Sequence, residues 1–319
     1  MTDAGHALVT GGAGFIGSHL VDSLLADGWR VTVIENFDPF YDRREKEANL
    51  APHGQRAGLR LVESDLRDAE GLRRAFHDPF EVVVHLAAKA GVRPSIENPL
   101  EYQDVNVRGT HVLLELCREW RVRQFVFASS SSVYGVNPRV PWREDDHELL
   151  PISPYASTKL SGELLGHVYA SLYGIRFIAL RLFTVYGPRQ RPDLAIRKFA
   201  ELMRANLPIP VFGAGGSRRD YTYVDDVVAG IRAAMVYQET PYEVINLGNH
   251  SAVTLSQLIT GLEQTLGVEA RVTRLPEQPG DVLQTYADIE KARRLLAYEP
   301  STPFDAGLAK FAVWLRSRR

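Results

Sequence analysis

Three side chains in the middle of the sequence, Tyr155, Lys159 and Ser130, have the types and spacing needed for proton transfer. Tyr155 and Lys159 are four positions apart, so any helix that contains them presents both on one face. A phenol has a pKa of about 10 in water, and a nearby cation lowers that pKa by stabilising the phenolate. The Ser130 hydroxyl can orient a substrate oxygen or relay its proton. Because a tyrosine and a lysine at this spacing also form ordinary surface pairs, a catalytic assignment depends on the surrounding sequence.

A glycine-rich segment near the N-terminus supplies that context. Gly11, Gly14 and Gly17 follow a short apolar run and open a helical pattern. Glycines at this spacing allow a tight turn, close approach of a pyrophosphate to the backbone, and close packing of the helix on a sheet. Glu35, at the end of the next apolar run, can accept hydrogen bonds from a ribose diol and would repel a 2′-phosphate. The pattern therefore predicts bound NAD rather than NADP.

Further cofactor contacts are expected at the ends of later strands. Asp65 could accept from the adenine amino group or could instead cap the helix that follows, and the sequence leaves both possibilities open. Lys159 could donate to the nicotinamide ribose as well as act on Tyr155. The other residues expected to contact the cofactor are Phe15, Ile16, Asn36, Leu66, Leu86, Ala87, Ala88, Lys89 and Asn106.

The alternation of apolar runs with helical patterns predicts an α/β fold. Strands are expected at 6–10, 30–35, 59–63, 81–86, 124–128 and 176–181, and helices at 17–26, 68–76, 102–120 and 154–173. Apolar strands separated by helices predict a doubly wound parallel sheet, which binds ligands beyond the carboxyl ends of its strands. Pro- and Gly-rich loops dominate after about Tyr186. We therefore expect a dinucleotide-binding domain at 1–185, with some later segments returning to it, and a substrate-binding lobe at 186–319.

The composition argues against several classes of function. The 37 Lys and Arg against 39 Asp and Glu give a net charge of −2, without the basic excess typical of proteins that bind nucleic acid or anionic membranes. The single cysteine, Cys117, excludes an internal disulfide and a cysteine-based zinc site. The histidines show no metal-ligand spacing, so no metal is expected. Since the sequence has neither a secretory signal pattern nor an apolar run long enough for a membrane span, we expect a cytoplasmic protein.

Together these motifs resemble the extended short-chain dehydrogenase/reductase superfamily and, within it, the nucleotide-sugar epimerase/dehydratase family. The resemblance extends from about Ala7 to beyond Ala287 and rests on the glycine triplet, the Ser-Ser-Val-Tyr-Gly stretch ending at Gly135, the Tyr155/Lys159 pair and the run Arg219-Asp220-Tyr221. It implies a Rossmann-type NAD domain, a smaller C-terminal α/β lobe that binds the nucleotide sugar, and NAD that stays bound through turnover. It also suggests a homodimer formed by the helices at 102–120 and 155–173.

The residues just before Val133 separate the activities of this family. Nucleotide-sugar dehydratases carry an Asp-Glu pair, and UDP-glucuronate decarboxylases a Glu, where this chain has Ser131 and Ser132. Serine hydroxyls do not titrate usefully near neutral pH, so elimination loses its acid and base. The resemblance therefore implies epimerisation. Tyr155 takes the proton of the sugar C4 hydroxyl, hydride passes from C4 to NAD, and the 4-keto sugar turns before hydride returns to its other face.

The segment from Arg181 to Ala195 resembles that of UDP-glucuronate 4-epimerases in particular. In that group the residues matching Thr184 and Arg191 hold the C6 carboxylate, and an arginine can do so through two hydrogen bonds. Gln190 stands where this loop usually has Gly, and Gln278 where glucose epimerases have Arg. The resemblance assigns further substrate contacts to the uridine pocket (Val211, Phe212 and Lys198), the diphosphate (Arg219), the uridine ribose (Asp281) and the sugar (Arg93, Ser131 and Ser132).

Three alternatives remain open from the sequence. In a UDP-glucose or UDP-N-acetylhexosamine 4-epimerase, Arg191 would be merely structural. A UDP-glucuronate decarboxylase is disfavoured by Ser132. A non-catalytic NAD-binding protein is disfavoured by the complete set of Ser130, Tyr155 and Lys159, because a pure binder needs no activated phenol.

Overall fold

The computed structural model describes residues 5–54, 58–213, 215–276 and 282–318. The strands are β1 (His6–Thr10), β2 (Arg30–Glu35), β3 (Leu59–Glu63), β4 (Val82–His85), β5 (Gln124–Ser130), β6 (Arg176–Leu182), β7 (Thr184–Tyr186), β8 (Ile209–Phe212), β9 (Arg218–Tyr223), β10 (Tyr242–Leu247), β11 (Ala252–Thr254) and β12 (Val272–Leu275).

The helices are α1 (Phe15–Ala26), α2 (Arg43–Leu50), α3 (Ala69–Arg73), α4 (Val92–Glu97), α5 (Pro99–Tyr102), α6 (Gly109–Glu119), α7 (Pro154–Tyr173), α8 (Ala195–Arg204), α9 (Val224–Val236), α10 (Leu255–Leu266), α11 (Glu290–Leu296) and α12 (Phe304–Ser317). A π-helical segment, Gln103–Arg108, joins α5 to α6, and 3₁₀ turns occupy Ala51–His53 and Ser131–Tyr134.

Seven parallel strands form the central sheet, in the order β10-β6-β5-β4-β1-β2-β3. Strands β1, β4 and β5 are buried along their whole length, as expected for a sheet covered by helices on both faces. The winding direction reverses between β1 and β4, and a ligand cleft forms beyond the carboxyl ends of the strands at such a point. The predicted doubly wound α/β fold is confirmed, and each predicted strand lies within two residues of an observed one.

The later part of the chain builds two small sheets and also contributes to the large one. Strands β11, β9 and β7 form a three-stranded sheet, and β12 pairs with β8. Strand β10 returns to the central sheet and pairs along β6, from Tyr242 beside Phe177 to Leu247 beside Leu182. The division at 185/186 itself stays a prediction.

Two elements differ from the sequence prediction. The helix expected at 102–120 starts at Pro99 and contains the π-helical segment, so it is not one continuous α-helix. The stretch after β2, expected only to be polar, contains α2, whose buried positions include Lys46 and Asn49. Two of the buried side chains of α2 are polar and are paired with other residues. The sequence of α2 therefore lacks the apolar periodicity from which a helix is predicted.

None of the helices in the described ranges is long and apolar enough to cross a lipid bilayer. Among the same residues, no three His, Cys, Asp or Glu side chains are grouped so that they could hold a metal ion. Cys117 is fully buried in α6, and burial raises the pKa of its thiol well above the usual range. It therefore fills the core and is not a reactive thiol.

Candidate active site

A cleft of about 1340 Å³ runs along the carboxyl ends of the central strands and continues to residues of β8 and β9. It brings together most of the residues predicted from the sequence. Those lining it are Gly11, Gly14, Phe15, Ile16, Gly17, Glu35, Asn36, Asp65, Leu66, Leu86, Ala87, Ala88, Lys89, Arg93, Ser130, Ser131, Ser132, Tyr155, Lys159, Thr184, Arg191, Lys198, Phe212 and Arg219.

The glycine loop forms a backbone cradle at one end of the cleft. Gly11 has a left-handed φ of +70°, and a Cβ on it would lie 2.8 Å from the backbone nitrogen of Ala87. A Cβ on Gly17 would collide with the carbonyl oxygen of Gly11. Gly14 caps α1 without any side-chain hydrogen bond, so no side-chain cap competes for the N–H groups of the first turn. These features fit the pyrophosphate of a dinucleotide at the helix N-terminus.

The adenosine end of the cradle carries a buried carboxylate. Glu35 is at the end of β2, where it accepts a hydrogen bond from the backbone nitrogen of Phe37 at 3.1 Å. The ammonium of Lys46 lies 3.5 Å from the same carboxylate, which compensates its buried charge. Glu35 is therefore held as an anion at the position predicted to meet a ribose diol.

Asp65 lies next to Asn36, whose amide donates to its carboxylate at 3.1 Å. Hydrogen bonds from Arg67 lower the pKa of Asp65 to about 2, so the group is a carboxylate and an acceptor. The alternative in which Asp65 caps the next helix is wrong, because Asp68 caps α3 through its bond to the backbone nitrogen of Gly71. The contact with adenine stays a prediction.

Tyr155 and Lys159 lie on one face of α7, as their spacing predicts. Ser153 caps this helix and Pro154 occupies its first turn, which fixes where the helix begins and therefore where Tyr155 is placed. Burial raises the pKa of the Tyr155 phenol, whereas a hydrogen bond with Ser130 and the charge of Arg191 lower it. Ser130 and Arg191 therefore both favour the phenolate of Tyr155, against the effect of burial.

Lys159 lies deeper than Tyr155, and its ammonium donates to the carbonyl oxygen of Ala128 at 2.7 Å. The ammonium is 5.9 Å from the centroid of the Tyr155 ring and 5.0 Å from that of Phe127. Burial lowers the pKa of Lys159 to about 8. Among the described residues, the charge that acts on the Tyr155 hydroxyl comes from Arg191, so the predicted action of Lys159 on the phenol stays a prediction.

Ser130 ends β5 and starts the turn that carries the other two serines. Its hydroxyl accepts from the backbone nitrogen of Ser132 at 3.2 Å and lies 3.1 Å from the Ser132 hydroxyl. The turn therefore presents Ser130, Ser131 and Ser132 to the cleft as three hydroxyl groups. No carboxylate occupies the position where a dehydratase or a decarboxylase would need one.

Arg191 reaches the sugar end of the cleft from the loop after β7. Its Nε and Nη2 donate to the two carboxylate oxygens of Asp193 at 2.9 and 2.7 Å. Its guanidinium lies 5.5 Å from the centroid of the Phe40 ring. Thr184, at the start of β7, lines the same part of the cleft. A cation and a hydroxyl donor are therefore available where the resemblance places the sugar carboxylate.

Gln190 is a departure from the usual loop sequence, and the structure explains how it is accommodated. Its side chain is buried, donates to the carbonyl oxygen of Val185 at 3.1 Å and accepts from the backbone nitrogen of Arg197 at 3.2 Å. These bonds join the loop to β7 and α8. Gln190 thus fixes the loop that carries Arg191.

The nucleotide end of the cleft is lined by Phe212, Arg219 and Lys198. The guanidinium of Arg93, in α4, lies 4.5 Å from the centroid of the Phe212 ring, so it contacts the predicted uridine pocket. Asp281 and Gln278 lie outside the described residues.

Two predicted contacts need correction. The Val211 side chain is buried and does not line the cleft, because β8 alternates and Phe212 is the residue on the cleft side. Asn106 is also buried, and it exchanges two hydrogen bonds with the backbone of Lys89, at 2.8 and 2.9 Å. Asn106 therefore supports a residue of the cofactor site and does not itself line the cleft.

Many cleft residues were not predicted, and four of them lie in the stretch after β2. Asp38, Phe40, Tyr41 and Lys46 line the cleft together with Asp193. Single charged or aromatic residues in a polar stretch carry no periodic signal.

Comparison with known proteins places these features in a family. The profile of the NAD dependent epimerase/dehydratase family matches residues 7–248. UDP-glucuronate 4-epimerase 3 of Arabidopsis thaliana is 41% identical over 96% of this chain and 75% of its own length. The crystal structure of UDP-glucuronic acid 4-epimerase from Bacillus cereus, in complex with UDP-glucuronic acid and NAD, is 36% identical with a TM-score of 0.91, and the match covers 98% of this chain and all of that one.

A UDP-glucose 4-epimerase is similar to a comparable degree. The NAD complex from Thermus thermophilus is 33% identical, with a TM-score of 0.89 over 98% of this chain and 100% of that one. Similarity on this scale, over nearly the whole length and with the cradle and the Ser130, Tyr155 and Lys159 set in place, establishes the family. This chain belongs to the NAD dependent epimerase/dehydratase family.

Proposed function

We propose that this chain catalyses epimerisation at C4 of UDP-glucuronate to UDP-galacturonate, with NAD as a resident cofactor. The observation that carries the choice of substrate is the position of Arg191, whose guanidinium lies in the cleft close enough for its charge to lower the pKa of Tyr155. A cation this close to the proposed base suits a sugar that carries its carboxylate beside the reacting carbon.

The residues present fit NAD. The glycine cradle takes the pyrophosphate, Glu35 takes the adenosine ribose, and Lys159 is placed to meet the nicotinamide ribose. When bound, NAD accepts the hydride from C4 and returns it. The positive charge of the oxidised nicotinamide also favours the phenolate of Tyr155.

Tyr155 is the proposed base. Its hydroxyl takes the proton of the C4 hydroxyl directly or through Ser130, which lowers its pKa, and gives the proton back when the configuration at C4 is inverted. Lys159, buried one turn away with its ammonium on the carbonyl of Ala128, keeps a positive charge beneath the reacting groups. A single base suffices because both half-reactions occur at the same carbon.

A uronate substrate adds a hazard that the site must control. A 4-keto uronate is a β-keto acid. It loses carbon dioxide when the bond from C5 to the C6 carboxylate aligns with the π system of the C4 carbonyl. We propose that Arg191, Thr184 and the hydroxyls of Ser131 and Ser132 hold the carboxylate out of that alignment. Asp193 occupies the Nε and Nη2 edge of Arg191, whereas Nη1 donates no hydrogen bond to any described residue. That part of the guanidinium can therefore serve the substrate.

The test is incubation of the purified protein with UDP-glucuronate, UDP-glucose and UDP-N-acetylglucosamine, without added cofactor, followed by chromatography of the products. We expect UDP-galacturonate from UDP-glucuronate and no release of carbon dioxide. Tyr155→Phe should retain bound NAD and lose turnover. Turnover of UDP-glucose alone would overturn the choice of substrate, and turnover of none of the three would overturn the activity.

A second candidate is C4 epimerisation of a UDP-hexose without a carboxylate. The pairing of Arg191 with Asp193 favours it, because this pair is already neutral and would not leave a cation unpaired beside an uncharged sugar. The substrate panel above separates the two candidates. Carbon dioxide release would instead indicate a decarboxylase, which the three hydroxyl groups of the serine turn disfavour.

We further propose that two copies of the chain associate through α5 to α7. Leu100, Leu164 and Leu172 are exposed on these adjoining helices, by 82%, 63% and 67% respectively. Apolar side chains clustered on neighbouring helices are typical of a helix-bundle interface. The double variant Leu164→Glu/Leu172→Glu should sediment as a monomer, whereas Val313→Glu, on the distant α12, should sediment as the wild type does. A cytoplasmic location remains a prediction.

A further inference from the structure

Three charged side chains from separate segments meet beside the cofactor cleft, and two of them line it. The ammonium of Lys89, after β4, lies 3.0 Å from a carboxylate oxygen of Asp38, after β2, and 2.9 Å from one of Glu101, in α5. Lys89 and Asp38 are each partly exposed, by 19% and 25%, and both line the cleft. These three residues are called the ion triad below.

The sheet order gives the ion triad its position. Strand β1 lies between β4 and β2, and strands are spaced about 4.8 Å apart, so the loops that follow β4 and β2 begin about 10 Å from each other. The contact between Lys89 and Asp38 closes this gap. It therefore joins the two loops on either side of the turn after β1, where Gly11 and Gly14 form the cradle for the pyrophosphate.

Asp38 is held firmly within its own loop. Its second carboxylate oxygen accepts from the backbone nitrogen of Phe40 at 3.0 Å. Its carbonyl oxygen accepts from the ammonium of Lys46, also at 3.0 Å, and Lys46 is in turn paired with Glu35. Through Lys46, the Asp38 side of the ion triad is thus connected to Glu35, the carboxylate that is proposed to bind the adenosine ribose.

Lys89 is held from the opposite side, by the catalytic helix. Asn106 exchanges two hydrogen bonds with the Lys89 backbone and donates a third to the hydroxyl of Thr158 at 3.0 Å. Thr158 donates to the carbonyl oxygen of Tyr155 at 2.7 Å. Asn106 belongs to the π-helical segment, and such segments are frequent at functional sites.

We propose that Asp38 and Glu101 are positioning residues that hold Lys89 as a strap across the bound dinucleotide and slow its release. The inference rests on the proposed binding of NAD and is independent of which sugar is the substrate. Epimerisation returns the cofactor to its starting oxidation state in every cycle. NAD consequently never has to leave, and a strap that slows its exit costs nothing in turnover.

The test measures exchange of the cofactor and not catalysis. Wild type, Asp38→Asn and Glu101→Gln are purified, their NAD content is determined after acid precipitation, and each is mixed with excess isotopically labelled NAD. Because partly exposed ion pairs contribute modestly, we expect Asp38→Asn to exchange about three to ten times faster than wild type, with a smaller increase for Glu101→Gln. Raising the salt concentration should speed exchange in wild type more than in Asp38→Asn.

Two further variants separate the strap from a general structural effect. Glu47→Gln removes an exposed ion pair with Arg43 on the neighbouring α2 and should exchange at the wild-type rate. Lys89→Arg keeps the charge and should exchange more slowly than Lys89→Met. Equal exchange rates in wild type, Asp38→Asn and Glu101→Gln, with NAD bound to all three, would overturn the strap alone. Wild-type protein that neither carries nor takes up NAD would overturn the cofactor assignment and the strap with it.

Discussion

Two arginine–carboxylate pairs come from the chain before and after β7, and they differ mainly in the exposed fraction of their side chains. Arg181 donates to both oxygens of Glu163 at 3.0 and 2.8 Å, and each side chain is only 3% exposed. Arg191 donates to both oxygens of Asp193 at 2.9 and 2.7 Å, but these side chains are 21% and 32% exposed. The same chemical pairing is part of the buried framework in one place and is proposed to bind substrate in the other.

The buried pair connects the elements that carry the site. Glu163 lies one turn after Lys159 on α7 and also accepts from the hydroxyl of Ser129 in β5, while Arg181 belongs to β6. The Arg181 guanidinium lies 4.7 Å from the centroid of the Tyr134 ring, in the turn after β5. No ligand can reach this pair, so its effect on catalysis is to hold α7, β5 and β6 in register.

The largest effect is expected from Arg181→Met, which leaves Glu163 buried and unpaired. Removing one partner of a buried ion pair destabilises a protein by about 3 to 5 kcal/mol, since the remaining charge has no compensation. Urea denaturation should show a loss of that size. The double variant Arg181→Met/Glu163→Met should recover most of it, and a double variant as unstable as the single one would contradict this account.

A smaller free-energy change, confined to activity, is expected from Arg191→Gln. Asp193 is partly exposed and can be hydrated once its partner is gone, so the free energy of unfolding should change little. Hydrogen bonds to charged groups contribute about 1.5 to 3 kcal/mol, which corresponds to a loss of roughly ten- to a hundredfold in kcat/KM for UDP-glucuronate. Steady-state kinetics and product chromatography measure this loss, and decarboxylated product should appear. Unchanged kinetics and unchanged product purity would remove Arg191 from the mechanism.

The same variant should also shift the pH dependence of turnover. The charge of Arg191 lowers the pKa of Tyr155, and the phenolate is the proposed active form. Without that charge the pKa of Tyr155 is higher, so the rising limb of the rate profile should move to higher pH. Rates of Arg191→Gln and wild type measured from pH 6 to 10 test the direction. A limb that stays in place would assign the tuning of Tyr155 to Lys159 and NAD.

The smallest effect is expected from a third pair of the same kind, on the surface. Arg293 and Glu290 are one turn apart on α11, and both are well exposed. Water replaces either partner readily. Arg293→Met should therefore leave both the urea midpoint and the kinetics unchanged, which makes it the reference for the two variants above.

The sequence predicts those parts of the site that depend on local geometry. The glycine cradle needs only three glycines between a strand and a helix, and Tyr155 and Lys159 need only one capped helix. Both were placed correctly in the fold for that reason. The assignment of the serine turn depended on its position at the end of a strand, which is also a local property.

The parts that were missed depend on contacts between distant segments. Glu163 and Arg181 look like ordinary charged residues until α7 packs on β6. The role of Asn106 depends on the π-helical segment, and that of Asp38 on the order of strands in the sheet. Val211 was misplaced because the face of an isolated short strand is not determined by its own sequence.

The position of β10 has a consequence for expressing the predicted NAD-binding domain, residues 1–185, on its own. A polypeptide cut after residue 185 would lose the strand that covers β6 and would present unpaired backbone from Phe177 to Leu182. Exposed apolar sheet edges of this kind recruit other chains and aggregate. Grafting a different sugar-binding lobe onto this scaffold would therefore succeed only if the donor also brought a strand for that edge. Substrate range in this architecture should thus evolve by change of individual cleft residues more readily than by exchange of whole modules.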